Sequence, residues 1–284
     1  MDVKHALSVA SNILKSKDIE APVREAGVLL AFVMKKDISW IYAHSEDKLA
    51  NELIDEYMEA VAKRSGRMPF QYISKNQEFM SLDFYVDENC LIPRPDTEIL
   101  VETALKVIGD YNSENKSPAR VLDIGTGSGA IAVSIAYYGK NVVVDAIDIS
   151  EKALEIAKMN ARNHHVHDKI HFINADFFSF KPSQPYLVVI SNPPYIPNEE
   201  IDHLMPEVKD FEPKLALAGG EDGLCFYRGI ASNVRQLLMS GGTVLTEVGI
   251  GQDVQVKELF ENQGLSVSVY KDFAGINRVI SGTL

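Results

Sequence analysis

Cysteine, long apolar runs and positive charge are all scarce in this chain. Only Cys90 and Cys225 occur in 284 residues, too few for a disulfide framework or a cysteine-built metal site, so a reduced compartment is expected. Nowhere do about 18 uninterrupted apolar residues appear, as a membrane-spanning helix requires. Met1 to Leu14 lacks the apolar run of a secretory signal. A cytoplasmic protein without a membrane partner is therefore expected. Lys and Arg number 28 against 40 Asp and Glu, a net charge of −12. Residues 1–70 are nearly balanced, with 10 basic and 11 acidic side chains, which leaves 18 basic and 29 acidic for the rest. A duplex-DNA binder needs the reverse, so direct nucleic-acid binding is not expected and a protein partner, a basic one included, fits better. Internal repeats and low-complexity tracts are missing too.

What is present reads as an ordinary globular chain, 46% apolar and long enough for two domains. Residues 1–68 are expected to form a helical bundle. Ala6, Val9, Ala10, Ile13 and Leu14 repeat at helical spacing, as do Val28, Leu29, Phe32 and Val33, and then Leu53, Ile54, Tyr57, Met58 and Val61. Residues 69–96 turn to a β pattern, with Phe79, Leu82, Phe84 and Val86 marking a hairpin linker. Residues 97–284 alternate strands and helices, starting with a helix from Thr97 to Ile108, and predict an α/β, doubly wound sheet. Its strands are expected near Val121–Ile124, Asn141–Ile147, Lys169–Ile173, Tyr186–Ser191 and Thr243–Val248, with an antiparallel pair at Leu265–Tyr270 and Arg278–Ile280.

Two strand ends carry the chemistry. After Val121–Ile124 comes Gly125-Thr126-Gly127-Ser128-Gly129, which opens into the helical pattern Ala130–Ala136. Glycines allow positive φ and close approach of a ligand, and a helix N-terminus offers unpaired N–H groups. The next strand ends at Asp148, 19 residues beyond Gly129, where a carboxylate can accept ribose hydroxyls. Gly125, Gly127 and Ala130 also satisfy a relaxed dinucleotide fingerprint, so a nicotinamide enzyme competes. S-adenosylmethionine is favoured by the tight Gly-x-Gly-x-Gly alternation, by Asp176 and Phe177 placed to hold an adenine, and by what ends the fourth strand.

That strand ends in Asn192-Pro193-Pro194-Tyr195. Proline has a nearly fixed φ and no N–H, so the chain leaves the sheet stiffly and presents carbonyls. Asn192 adds a side-chain carbonyl, and Tyr195 a flat face. Two acceptors converging on one –NH₂ group suit an amide or an exocyclic base amine. An amide nitrogen is a poor nucleophile, so Asn192 and the Pro193 carbonyl are expected to align it by accepting both of its N–H bonds.

With these motifs the chain resembles the class I S-adenosylmethionine-dependent methyltransferases, and within them the PrmC/HemK family of protein-(glutamine-N5) methyltransferases of peptide chain release factors. The resemblance covers nearly the whole chain. It also rests on Pro69–Ile73, Leu91-Ile92-Pro93-Arg94-Pro95-Asp96-Thr97-Glu98, Phe211–Leu217, Gly219–Gly223, Glu247-Val248-Gly249 and Lys271-Asp272-Phe273-Ala274-Gly275. It implies a seven-stranded Rossmann-like methyltransferase sheet and S-adenosylmethionine as cofactor. The substrate it implies is the glutamine of the release-factor Gly-Gly-Gln motif. It places Gly125, Thr126, Gly127, Ser128 and Gly129 around the methionine moiety, Asp148 on the ribose, Phe177 by the adenine, and Asn192, Pro193, Pro194 and Tyr195 at the glutamine; Asp176 and Asn192 are expected to touch the cofactor as well. The alternative is an amino-methyltransferase acting on adenine or cytosine, which shares the Asn-Pro-Pro-Tyr motif. The helical domain is expected to dock the substrate, and residues 197–223 to cover it. His164, His165, His167 and His171 lack the companions of a ligand set, so no metal is expected. Lys63, Arg64 and Arg67 read as a helix C-terminal feature rather than a phosphate site.

Overall fold

The computed structural model describes residues 1–272 and 274–284; Phe273, from the last of the quoted motifs, lies outside them. The chain divides into two compact units: Met1–Lys75 with Met205–Phe211, and Asn76–Leu204 with Glu212–Leu284.

The first unit is helical: α1 (Val3–Lys15), α2 (Pro22–Met34), α3 (Ile38–Ala43), α4 (Asn51–Ser65) and α5 (Phe70–Ser74). Asp2 starts α1 by accepting the His5 N–H at 2.8 Å, a side-chain N-cap. Val3, Ala6, Ala10 and Leu14 of α1 pack with Leu29 and Leu30 of α2 and with Tyr57 and Val61 of α4. The Tyr57 hydroxyl donates to the Ala26 carbonyl at 2.9 Å, so its burial leaves no polar atom stranded. Phe32 differs from its expected core place: it is exposed and meets Phe70 edge-on, because Leu29 and Leu30 take the inward face.

Residues 69–96, expected to turn to β, begin instead with helix α5. Phe70 and Ile73, three apart, pack onto the helical core, and that spacing is the helical signal that the neighbouring β pattern obscured. Arg64 lies between Glu25 (Nε–Oε2 2.7 Å) and Glu207 (Nη1–Oε1 3.1 Å), and Arg67 also reaches Glu207 at 3.2 Å. These cations hold carboxylates.

The second unit begins with the hairpin β1 (Gln77–Phe79) and β2 (Leu82–Phe84), followed by α6 (Glu98–Glu114). Then come β3 (Ala119–Ile124), α7 (Ala130–Tyr138), β4 (Val142–Asp148), α8 (Glu151–Asn163), β5 (Ile170–Asn174) and β6 (Tyr186–Ser191). The long connection holds α9 (Pro206–Lys209), which belongs to the first unit, and α10 (Lys214–Leu217). The chain ends with α11 (Cys225–Leu237), β7 (Leu238–Glu247), α12 (Asp253–Glu261), β8 (Ser266–Lys271) and β9 (Asn277–Thr283).

Seven strands form one sheet in the order β5-β4-β3-β6-β7-β9-β8. β3 to β7 run parallel, while β9 and β8 are antiparallel. Every residue of β6 is buried, as expected of a central parallel strand covered on both faces. Residues of α6 and α7 fill one face of the sheet, and those of α11 and α12 the other. The chain leaves β3 toward β4 and β5, then returns to place β6 on the other side of β3. Such a reversal opens a crevice at the C-terminal strand ends.

Candidate active site

A cleft of about 330 Å³ lies at those strand ends. Gly125 and Gly127 from the turn after β3, Asp148 from the end of β4, Asp176 and Phe177 after β5, and Asn192, Pro193 and Pro194 after β6 all line it. Pro213, Leu215 and Ala216 from the long connection add a further wall. Thr126, Ser128, Gly129 and Tyr195 do not line it.

The glycine turn is wired inward. The Gly125 and Thr126 amides donate to the Ile147 carbonyl at 2.9 and 3.0 Å, and the Gly129 amide to Thr126 at 2.8 Å. The Gly127 amide donates to Asp148 Oδ2 at 2.8 Å. Four of the turn's five amides are therefore taken, two by the Ile147 carbonyl of β4, one by Asp148 and one by Thr126, and what Gly125 and Gly127 offer a ligand is room. Gly125 and Gly127 have φ of +72° and +55°, and a β-carbon on Gly125 would meet nothing within 4 Å. Gly129 serves packing instead: a β-carbon there would sit 2.9 Å from that of Ala157 on α8. The Thr126 hydroxyl donates to buried Asp123 at 2.6 Å, and the Ser128 carbonyl accepts from Asn160 at 2.9 Å. Both residues brace the turn from behind.

Asp148 also accepts the Ser150 amide at 2.9 Å. Its burial pushes the carboxyl above its ordinary pKa, against the pull of the backbone amides of Ser150, Gly127 and Ile149. Each oxygen keeps a lone pair for a hydroxyl. Asp176 caps its own turn by accepting the Phe178 amide at 3.0 Å. Phe177 is buried against the cleft, with Phe178 at 5.6 Å and Phe226 beyond it at 5.2 Å, and all three rings contribute lining. Phe226 belongs to helix α11, which the sequence reading passed over although Tyr227, Ile230, Ala231 and Val234 mark it plainly.

The charge of the lining identifies what fits. Among the described lining residues, Asp148 and Asp176 are the only charged side chains, and none is Lys, Arg or His. A pyrophosphate would meet these two carboxylates and no cation among the described residues, which disfavours a dinucleotide. S-adenosylmethionine, with a sulfonium and an ammonium group, an adenine and a ribose, suits the two carboxylates and the aromatic wall.

The Asn192–Tyr195 turn is fixed from several directions. The Ser191 hydroxyl donates to the Ile124 carbonyl at 2.8 Å. Asn192 donates from Nδ2 to Thr97 Oγ1 at 3.1 Å, and that hydroxyl donates to Glu247 Oε2 at 2.5 Å. The Tyr195 carbonyl accepts from Gln252 Nε2 at 2.9 Å, and Gln252 Oε1 accepts from the Gly249 amide at 3.0 Å. Burial, with Glu247 nearby, pushes the Tyr195 phenol up to about 12. Ile196 bridges to Ala218, and a β-carbon on Gly219 would sit 2.8 Å from the Tyr195 backbone, so glycine at 219 permits this close approach. Thr97, Glu247 and Gln252 are partners that single-motif reading missed.

Arg94 spans both carboxylate oxygens of buried Glu212 at 2.6 and 2.8 Å, and Glu98 accepts the Met80 amide at 2.6 Å. His164 meets the Asp83 carbonyl at 2.8 Å, and His171 meets Asp145 at 2.9 Å. No helix among the described residues is long and apolar enough to cross a membrane.

Comparison with known proteins agrees with this geometry. The model of the PrmC N-terminal domain matches residues 5–74, and that of the Methyltransferase small domain residues 98–207. The release factor glutamine methyltransferase of Clostridium acetobutylicum is 40% identical over 99% of this chain and 98% of its own length. That of Geobacter sulfurreducens is 35% identical over 99% and 96%. Among solved structures, a methyltransferase from Pyrococcus furiosus aligns with a TM-score of 0.53 at 19% identity, over 78% of this chain and 98% of that one, a likeness of fold. With two-domain coverage, near-complete alignment and an acid-lined cleft at the methyltransferase strand ends, the chain belongs to the release factor glutamine methyltransferase family and is an S-adenosylmethionine-dependent enzyme.

Proposed function

We propose that the chain methylates the side-chain amide nitrogen of the glutamine in the Gly-Gly-Gln motif of peptide chain release factors. The observation that carries this reading is the turn at the end of β6: Asn192 and two prolines line a cleft that has carboxylates and no cation. When bound, S-adenosylmethionine supplies a methyl group on a positively charged sulfur.

Gly125 and Gly127 leave room for the methionine portion, Asp148 accepts the ribose hydroxyls, and Asp176 and Phe177 flank the adenine. Asn192 Oδ1 and the Pro193 carbonyl accept the two N–H bonds of the glutamine amide. This fixes its plane and draws electron density onto nitrogen, a pull that strengthens as positive charge develops there. Holding the nitrogen in line supplies a large part of the rate, on the order of 7–11 kcal/mol when alignment is complete. No side chain removes a proton beforehand; the nitrogen sheds its surplus proton after transfer, past the acceptor that held it and on to water. Pro194 stiffens the turn, and Tyr195 anchors it through its carbonyl.

The helical unit is assigned to docking the whole release factor, because one glutamine side chain offers too little contact for specificity. Val23, Ile38 and Tyr42 expose apolar surface on it. Action during translation termination fits a cytoplasmic enzyme.

The test supplies labelled S-adenosylmethionine with unmethylated release factor and, separately, with unmethylated DNA, then maps the label by mass spectrometry. Label on the glutamine of Gly-Gly-Gln is expected; label on DNA alone, or on neither, overturns the substrate.

A further inference from the structure

A buried carboxylate lies behind the reacting turn with no part in the steps above. β6 and β7 pair in register with Ser191 opposite Thr246, so Asn192 and Glu247 are the next residues at neighbouring strand ends. Thr97, at the start of α6, stands between them. It and Glu247 are 4% and 2% exposed.

With Glu247 ionised, the hydrogen count along this line has one solution. An ionised carboxylate only accepts, so the single Thr97 hydroxyl hydrogen goes to Glu247, at the short distance of a charge-assisted bond. Thr97 Oγ1 then has only lone pairs to offer Asn192, and the Asn192 –NH₂ must face it. The amide oxygen is left pointing the other way.

We propose that Glu247, acting through Thr97, is a positioning residue that holds the Asn192 amide with its oxygen toward the cleft, as an acceptor for the substrate amide. This rests on the reading of Asn192 as the group that receives the glutamine N–H. A neutral Glu247 reverses the line: it donates to Thr97, Thr97 donates to Asn192 Oδ1, and the –NH₂ turns to the cleft, where it repels the substrate's own N–H.

The groups facing Glu247 are Arg278, Arg94, Asp96, Tyr195 and Tyr227, whose hydroxyl donates to the Glu247 carbonyl at 2.8 Å. Arg278 is shared with Asp272 at 3.0 Å and Asp96 at 3.2 Å, and Arg94 is paired with Glu212. Burial pushes the Glu247 carboxyl up to about 7, against the Thr97 bond and Arg278. The reversal therefore falls within an accessible pH range.

The experiment compares Glu247→Gln, Thr97→Val and Thr97→Ser, each measured with a Gly-Gly-Gln peptide. A loss of kcat of about 10- to 100-fold is expected for the first two, with cofactor affinity by calorimetry unchanged, which also certifies folding. Thr97→Ser restores most of the rate because it keeps the hydroxyl. The double variant is no worse than Thr97→Val alone, since both break one line. The wild-type rate rises with pH through about 7, and Glu247→Gln flattens that limb. In the free protein, the Asn192 side-chain amide resonances shift in both Glu247→Gln and Thr97→Val. Near-normal kcat in both variants, additive losses, or unmoved resonances overturn the proposal. A wild type that leaves the peptide unmethylated, but whose Asn192 resonances respond as expected, instead faults the substrate reading.

Discussion

Two turns leave adjacent parallel strands at the same edge of the sheet and solve opposite problems. After β3, the glycine turn spends four of its five amides on Ile147, Asp148 and Thr126, and Gly125 and Gly127 leave empty space. After β6, the Asn-Pro-Pro-Tyr turn has two positions with no amide, and it presents acceptors. On the proposed assignment the first turn recognises by shape, the second by polarity. A pocket that must admit a cationic cofactor and then orient a neutral amide needs both, and neither turn can substitute for the other.

The sharpest way to break the second turn alone is Asn192→Ala. Loss of an acceptor that matters most in the transition state is expected to lower kcat about 10²- to 10³-fold. Cofactor affinity by calorimetry should stay within about threefold. A weaker cofactor with near-normal kcat would merge the two roles.

Gly127→Ala should break the first turn with the converse result. Its φ of +55° makes alanine cost about 1–2 kcal/mol, and the added methyl enters the space a ligand needs. Cofactor affinity is expected to fall about tenfold or more, measured by calorimetry, while kcat at saturating cofactor changes less.

Gly129→Ala separates packing from binding within the same turn. Its β-carbon would press on Ala157 at 2.9 Å, so a stability loss of about 1–3 kcal/mol is expected, read in thermal unfolding. Cofactor affinity that falls while the melting temperature holds would move Gly129 into the cleft's function.

The smallest effect expected is on pH. The Asp148 carboxyl is held above its ordinary pKa by burial. It therefore takes a proton more readily when folded, and its contribution to folding stability is largest in acid and is lost as pH rises through its folded pKa. Cofactor binding runs the other way, because a neutral Asp148 attracts a cation less. Affinity is expected to weaken as pH falls through that range, and Asp148→Asn to remove the dependence.

Both turns were legible in the sequence because each is local: glycine or proline chemistry directly after an apolar run. The sheet followed for the same reason, down to the antiparallel pair at the end. The line from Glu247 through Thr97 to Asn192 was not legible, since its members lie 150 and 95 residues apart and only the pairing of β6 with β7, with α6 packed on both, brings them together. Helix α5 was misread because five residues carry too little periodicity beside a strong hairpin pattern. α11 and α12 were readable from spacing and were passed over. The basic trio of Lys63, Arg64 and Arg67 looked like a helix-end feature, and the structure gives two of its members a partner, Glu207, about 140 residues away.

That partner sets an order of events during synthesis. The helical unit is not one continuous stretch of chain, for Met205–Phe211 completes it. On a ribosome the first five helices emerge long before this segment, and until it appears Arg64 has Glu25 alone and Arg67 has no carboxylate. The unit that is first in sequence is thus finished only after four of the five parallel strands of the other have been made.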